Sequence, residues 1–275
     1  MRDATIAIVQ FHPRLGDVTD NLDRMGKVID QICHAQKVNL IVFPELVTTG
    51  YENGVKFTEL AEQIPGYSQN YLGKLAGDFH TYIAFGMVVK HKVESVIYNS
   101  AVLLGPDGEV KGEYRKVHLK GEEKLAFRPG YKFPVVETEF GMLGLLLGWD
   151  LAFPEAARSL ALEGAELIVV CANWEAPHVE EWRAYMLARA YENAVFVAGA
   201  NRIGDEYTYS FFGESMIIGP RGELYAQVMR DENDKPKEAY ALAKLDLDLI
   251  KKHREELQVM QSRQPSAYRA VVKQY

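Results

Sequence analysis

Apolar residues follow two rhythms along this chain. Short continuous runs recur: TIAIVQF, NLIVFPE, YIAFGMVV, VIYNSAVLLG, LGLLLGW, ELIVVCAN and AVFVAGAN. Runs of that kind predict strands covered on both faces. VKGEYRKV, ESMIIG, ELYAQV and EAYALAKL add further strands. Between them the period changes. Leu22, Met25, Ile29 and Ile32 recur at steps of three and four, so residues 19–36 predict a helix with one apolar stripe. FPEAARSLALEG and HVEEWRAYMLARAYEN predict two more, the first with Pro154 in its opening turn and Gly164 as its stop. GPDGE (105–109) and GPRGE (219–223) read as hairpin turns, and MRDENDKPKE (229–238) as a polar loop between strands. Helices alternate with strands, but the hairpins exclude a purely parallel sheet. The expected fold is α/β or α+β: two mixed β-sheets packed face to face, with helices on each outer side. No repeat or linker divides residues 1–275, so one domain is expected.

Composition narrows the partners. A net charge of -7 argues against nucleic acid and anionic membrane, which need clustered Lys and Arg. No apolar run approaches the roughly twenty residues of a membrane span. MRDATIAIVQF enters a strand pattern at once, so no signal peptide is expected. Cys33 and Cys171 stand far apart in apolar contexts, which fits reduced thiols in the cytoplasm. The seven histidines show no metal-ligand spacing, and no glycine-rich phosphate loop precedes a helix. Neither metal nor cofactor is expected. IKKHREEL (250–257) reads as a solvated helix face.

Three charged residues stand where charge is costly. Glu45 follows the buried run LIVFP, where partial desolvation raises a carboxyl pKa and suits it to general-base work. Lys116 adjoins Arg115 in an extended segment, so one of the two points inward, and an inward ammonium can stabilise an oxyanion. Glu123 follows seven residues later, beside Glu122. Taken singly, none is specific, and the plainer reading as a cap, an ion pair or a solvated side chain is favoured. A fourth feature is the run GMLGLLLGWDLAFPEAARSL, a strand that turns sharply at Gly148-Trp149-Asp150 into the helix opened by Pro154.

Taken together, FPE at Glu45, YRKVHL at Lys116 and the elbow GxDLxFPExAR resemble the nitrilase superfamily of carbon–nitrogen hydrolases. NRIG (201–204), FFGES (211–215), GPRGE and SRQPSAY extend the likeness from about residue 4 to residue 268. The resemblance implies a four-layer αββα sandwich. It also implies homodimers or higher oligomers joined across the helices near Pro154 and His178, with the tail from about 246 to 275 packed on a partner subunit. It implies hydrolysis of a small amide, carbamoyl or nitrile substrate, most often an amide. Glu45 would be the general base and acid. Lys116, helped by the backbone N–H of Trp149, would hold the oxyanion, and Glu123 would orient Lys116. Trp174 and Tyr51 are candidate pocket walls, with Trp182 beside them, although aromatics are more often core.

The resemblance also places a nucleophilic cysteine at position 148, in the pattern C-[YW]-D, where this chain has glycine. Asp150, Phe153, Pro154, Glu155 and Arg158 hold the register. Glycine fits a strained elbow without steric cost. Four readings are open: a deliberate or accidental substitution in an otherwise normal hydrolase, a natural non-catalytic protein that binds a ligand or a partner, a changed mechanism, or a replacement nucleophile. The changed mechanism would use a water in the thiol's space, or Glu45 and Lys116 as a non-hydrolytic acid–base pair. Cys171, ending ELIVVC, is the replacement candidate. Cys33 reads as packing, Ser215 as a structural hydroxyl, and His118 as a solitary histidine beside the site strand.

Overall fold

The computed structural model describes residues 2–91 and 96–273. The strands are β1 (Asp3–Gln10), β2 (Leu40–Val42), β3 (Tyr82–Lys90), β4 (Ile97–Leu104), β5 (Val110–Arg115), β6 (Val135–Glu137), β7 (Met142–Leu147), β8 (Leu167–Ala172), β9 (Phe196–Asn201), β10 (Ile203–Asp205), β11 (Ser210–Phe212), β12 (Met216–Ile218), β13 (Leu224–Gln227) and β14 (Ala239–Asp246). The α-helices are α1 (Val18–Ala35), α2 (Phe57–Leu60), α3 (Tyr67–Phe79), α4 (Glu123–Ala126), α5 (Pro154–Leu162), α6 (Val179–Asn193) and α7 (Asp248–Leu257).

Two six-stranded sheets form, in the orders β14-β1-β2-β3-β4-β5 and β13-β12-β9-β8-β7-β6. Their central strands, β1–β2–β3 and β7–β8–β9, run parallel. The hairpins at 105–109 and 219–223 add antiparallel neighbours, so both sheets are mixed. The two-residue period of a strand sorts side chains between layers. On β1, Ile6 and Ile8 join Leu40, Val42, Leu145 and Leu160 in one core. Ala7 and Val9 join Met25, Ile29 and Leu72 from α1 and α3 in another. The first core continues to Ala157 on α5 and Met186 on α6. The result is the four-layer sandwich: α1 and α3, two sheets, then α5 and α6.

The predicted stripe of α1 is buried at Leu22, Met25, Ile29 and Ile32, and the Asp17 side chain caps its start. Pro154 opens α5, and Gly164, at φ +99°, follows its end. α3 was not predicted. Its two glycines weaken the helical signal, yet Gly73 lets the helix meet the β4–β5 turn, where a Cβ would lie 2.5 Å from the Gly108 carbonyl oxygen. In the tail, Leu247 and Ile250 are buried and Arg254 donates to the Ala165 carbonyl at 2.8 Å, so α7 docks on its own chain. The last two residues of the expected tail lie outside the described residues. No described helix is long and apolar enough to cross a membrane.

Candidate active site

The three separated charges meet at one end of the sandwich. Glu45 stands three residues beyond β2 and is fully buried. Gly86 on β3 makes its position available: a Cβ there would lie 2.5 Å from the Glu45 Cα. Lys116 follows β5, with its backbone N–H on the Asn99 carbonyl (2.9 Å) and its carbonyl accepting from Gly130 N–H (2.7 Å). That register turns Arg115 outward and Lys116 inward, where it is 3 % exposed. Glu123 opens α4 and is buried, while its neighbour Glu122 is exposed.

Lys116 Nζ donates to Glu45 Oε1 at 2.7 Å and to Glu123 Oε1 at 2.6 Å. Asn99 Nδ2 donates to the same Glu45 oxygen at 2.7 Å, and the Asn173 backbone N–H to Glu45 Oε2 at 3.2 Å. Glu123 Oε2 accepts from the Lys120 backbone N–H at 2.9 Å, which fixes the carboxylate that fixes the lysine. Burial, reinforced by Glu123 and opposed by Lys116, raises the Glu45 pKa to about 7. Burial alone would lower that of Lys116, but Glu123 and Glu45 outweigh it and hold the ammonium charged. The cluster thus holds one lasting cation and one carboxyl poised to exchange a proton near neutral pH.

A raised carboxyl pKa ties stability to pH. The folded chain holds the Glu45 proton more tightly than the unfolded chain. Its contribution is full below the ordinary value of 4.5 and is lost as pH rises through about 7. Glu45→Gln removes this term. The stability of the natural chain minus that of Glu45→Gln, from urea unfolding, is expected to fall across that window. A difference that rose with pH would contradict the assignment.

Gly148 follows β7 at φ +39°, in the left-handed region, and starts the 3₁₀ turn Gly148–Ala152. Asp150 locks this elbow to the lysine segment: it is fully buried and accepts from Tyr114 Oη (2.6 Å), the His118 backbone N–H (2.9 Å) and Leu147 N–H (3.3 Å). His118 is therefore not solitary. Its Nδ1 lies 2.8 Å from Asp150 Oδ1 and its ring stacks on Phe153 at 3.6 Å. The space beside Gly148 is not open to a water either. A Cβ built there would lie 2.3 Å from Glu45 Oε2, so the carboxylate itself fills the place of a side chain.

Tyr51, Trp149 and Trp174 line the cleft over this cluster, together with Lys120, Asn173 and Glu175, and about 10 Å³ is enclosed. Lys120 pairs with Glu175 at the rim. Trp182 does not reach the cleft: it is wholly buried, donates to the Glu214 carbonyl at 2.9 Å and packs on Gly199. Cys171 pairs in register with Leu147, but it is fully buried, and burial with Glu45 nearby pushes its thiol pKa far up. Its sulfur packs in the core and does not line the cleft, which fits a core residue better than a replacement nucleophile. Cys33 packs against the α1 core, its thiol raised to about 11 by burial. Ser215 Oγ is spent on the Asn201 carbonyl at 3.0 Å.

Several contributors gave no sequence signal. Asn99 and Asn173 are ordinary amides until the sheets bring them to Glu45. Glu206 accepts from the backbone N–H groups of Tyr51 (3.0 Å) and Glu52 (2.6 Å), while the buried Arg202 pairs with it and lies 4.2 Å over the Phe211 ring. This clamp holds the Tyr51 wall. Glu206→Ala strands the Arg202 charge in the interior and is expected to cost about 3–5 kcal/mol in urea unfolding. A loss under about 1 kcal/mol would show that the pair carries little.

A four-layer sandwich with a buried Glu–Lys–Glu cluster beside a strand–turn–helix elbow is the architecture of hydrolases that act on carbon–nitrogen bonds. The family model for carbon-nitrogen hydrolases matches residues 5–255. A probable nitrilase of Schizosaccharomyces pombe is 40% identical over 98% of both chains. The crystal structure of a carbon-nitrogen hydrolase from Helicobacter pylori G27 superposes with a TM-score of 0.90 at 25% identity, over 99% of each chain. A cysteine-to-alanine mutant of the amidase from Nesterenkonia sp. AN1, in complex with butyramide, superposes with a TM-score of 0.80 at 27% identity, over 93% of this chain and 95% of that one. The chain belongs to the carbon-nitrogen hydrolase family of the nitrilase superfamily.

Proposed function

We propose that this chain carries an amidase site for a small non-peptide amide, and that Gly148 stands at the nucleophile's position and leaves turnover strongly impaired. The observation that carries the reading is Lys116, held at 2.7 and 2.6 Å between two buried carboxylates. Burying three charges gains little stability by itself. Their chemistry is the reason to keep them. Likeness to the butyramide-bound cysteine-to-alanine mutant supports ligand binding without a thiol.

The substrate carbonyl oxygen faces Lys116 and the Trp149 backbone N–H, which stabilise the charge that develops on it. Glu45 takes a proton from an attacking water once its carboxylate swings off Gly148. The same proton then passes to the leaving nitrogen, so that amide and water become carboxylic acid and ammonia. A thiol in that place would divide the barrier into two lower ones, and without it the rate stays near that of oxyanion stabilisation and binding. Ammonia release from a panel of amides, compared between the glycine chain and Gly148→Cys, tests the reading. No gain on any substrate would defeat it.

The homodimer belongs to the same proposal. Its support is an apolar groove between α5 and residues 257–272, where Tyr268, Val271 and Val272 are exposed. Two unpaired cysteines, Cys33 and Cys171, support a reducing, cytoplasmic setting.

A further inference from the structure

Asn173 follows β8 and stands in the cleft wall with Glu45, Lys116 and Trp174. Its backbone N–H is committed to Glu45 Oε2, which pins the residue beside the base. Its side chain is not committed. Asn173 is 7% exposed, and neither Nδ2 nor Oδ1 has a hydrogen-bond partner among the described residues. The nearby Asn201 shows the contrast: its Oδ1 accepts from Trp174 N–H at 2.7 Å, and its Nδ2 donates to the carbonyls of Gly213 (2.8 Å) and Trp174 (3.2 Å).

A donor and an acceptor buried without partners cost stability, and an apolar side chain of similar size would avoid that cost. The cost is repaid when a ligand satisfies both atoms. A side-chain carboxamide presents a donor and an acceptor in one plane. The group that answers both at once is a C(=O)–NH₂ edge, as a primary carboxamide or a carbamoyl group presents. A nitrile offers an acceptor nitrogen alone. A carboxylate offers acceptors alone and meets Glu45 and Glu123 nearby.

We propose that Asn173 is the specificity-determining residue of the cleft, pairing edge to edge with the substrate's primary carboxamide. The inference rests on the amide-binding reading above and adds which group reads the amide. Both substrate atoms keep a second position free. The carbonyl oxygen has a lone pair for Lys116, and the nitrogen a second N–H for Glu45. Hydrolysis breaks the pairing, because Asn173 Oδ1 then faces a carboxylate oxygen instead of an N–H. The same residue that selects the amide thereby weakens the hold on the product.

Equilibrium titration tests this on the natural chain and on Asn173→Leu, with Asn173→Asp as a near-isosteric second variant. The probes are butyramide, butyronitrile and butyrate. The natural chain is expected to bind butyramide at least about tenfold more tightly than butyronitrile. In Asn173→Leu that ratio falls to within about twofold, while Tm stays level or rises because two unmet polar atoms are gone. Asn173→Asp, which loses the donor, also weakens butyramide. A ratio retained in both variants overturns the inference and leaves the amide-binding reading standing, and a lowered Tm alongside it assigns Asn173 a structural role. Failure of the natural chain to bind any amide removes both.

Discussion

Gly148→Cys is expected to raise ammonia release from small amides by roughly 10⁴- to 10⁶-fold over the glycine chain, the span covered by removing single members of a hydrolase triad. The helpers are in place. Lys116 bridges Glu45 and Glu123, and Asp150 ties the elbow to the segment that carries the lysine. The introduced side chain has to displace the Glu45 carboxylate, whose Oε2 lies 2.3 Å from a Cβ at that position. The obstacle is the end of a side chain and not backbone, so rotation removes it at the expense of the hydrogen bonds from Lys116, Asn99 and the Asn173 N–H. The left-handed φ of +39° adds a strain of about 1–2 kcal/mol for any residue with a Cβ. Gly148→Ala imposes the same displacement and strain without sulfur. It is expected to gain no activity and to match Gly148→Cys in its loss of Tm. An equal gain from alanine would show that repositioning Glu45, and not nucleophilic attack, restores turnover.

Lys116→Met is expected to be the most destabilising single change in the cluster, at about 3–5 kcal/mol in urea unfolding. It leaves Glu45 and Glu123 buried without their shared cation, and it drives the Glu45 pKa further up. The triple variant Glu45→Gln, Lys116→Met, Glu123→Gln removes all three charges together. It is expected to recover most of that loss, because a neutral packed site has no ions to desolvate. Amide binding is lost in both variants. A triple variant as unstable as Lys116→Met would mean that the charges hold the fold together, and the case for a functional cluster would weaken.

The legible part of this site was the part written in charge. Glu45 after LIVFP and Lys116 beside Arg115 stood out because ions are costly in apolar surroundings, but only the resemblance to the nitrilase superfamily joined them and Glu123 into one site. The sandwich was legible from hydrophobic runs, because continuous runs and hairpin turns together require mixed sheets with both faces covered. Three things were hidden. α3 lacked a strong periodic signal because Gly73 serves close packing against Gly108. Asn173, Asn99, Arg202 and Glu206 acquire their roles from neighbours distant in sequence, and nothing local marks an asparagine as unbonded or an arginine as buried. The use of Gly148's space depends on a side-chain rotation: one of the four open readings put a water there, and the Glu45 carboxylate occupies it.

The central claim is that Glu45, Lys116 and Glu123 are built to deliver a nucleophile at residue 148 to an amide carbon. Acid-quenched peptide mass spectrometry of Gly148→Cys after brief exposure to butyramide reads this directly. The predicted result is one butyryl group on residue 148, absent when Lys116→Met is added. An unmodified residue 148 in protein that releases ammonia, or a butyryl group on Cys171 instead, would contradict it.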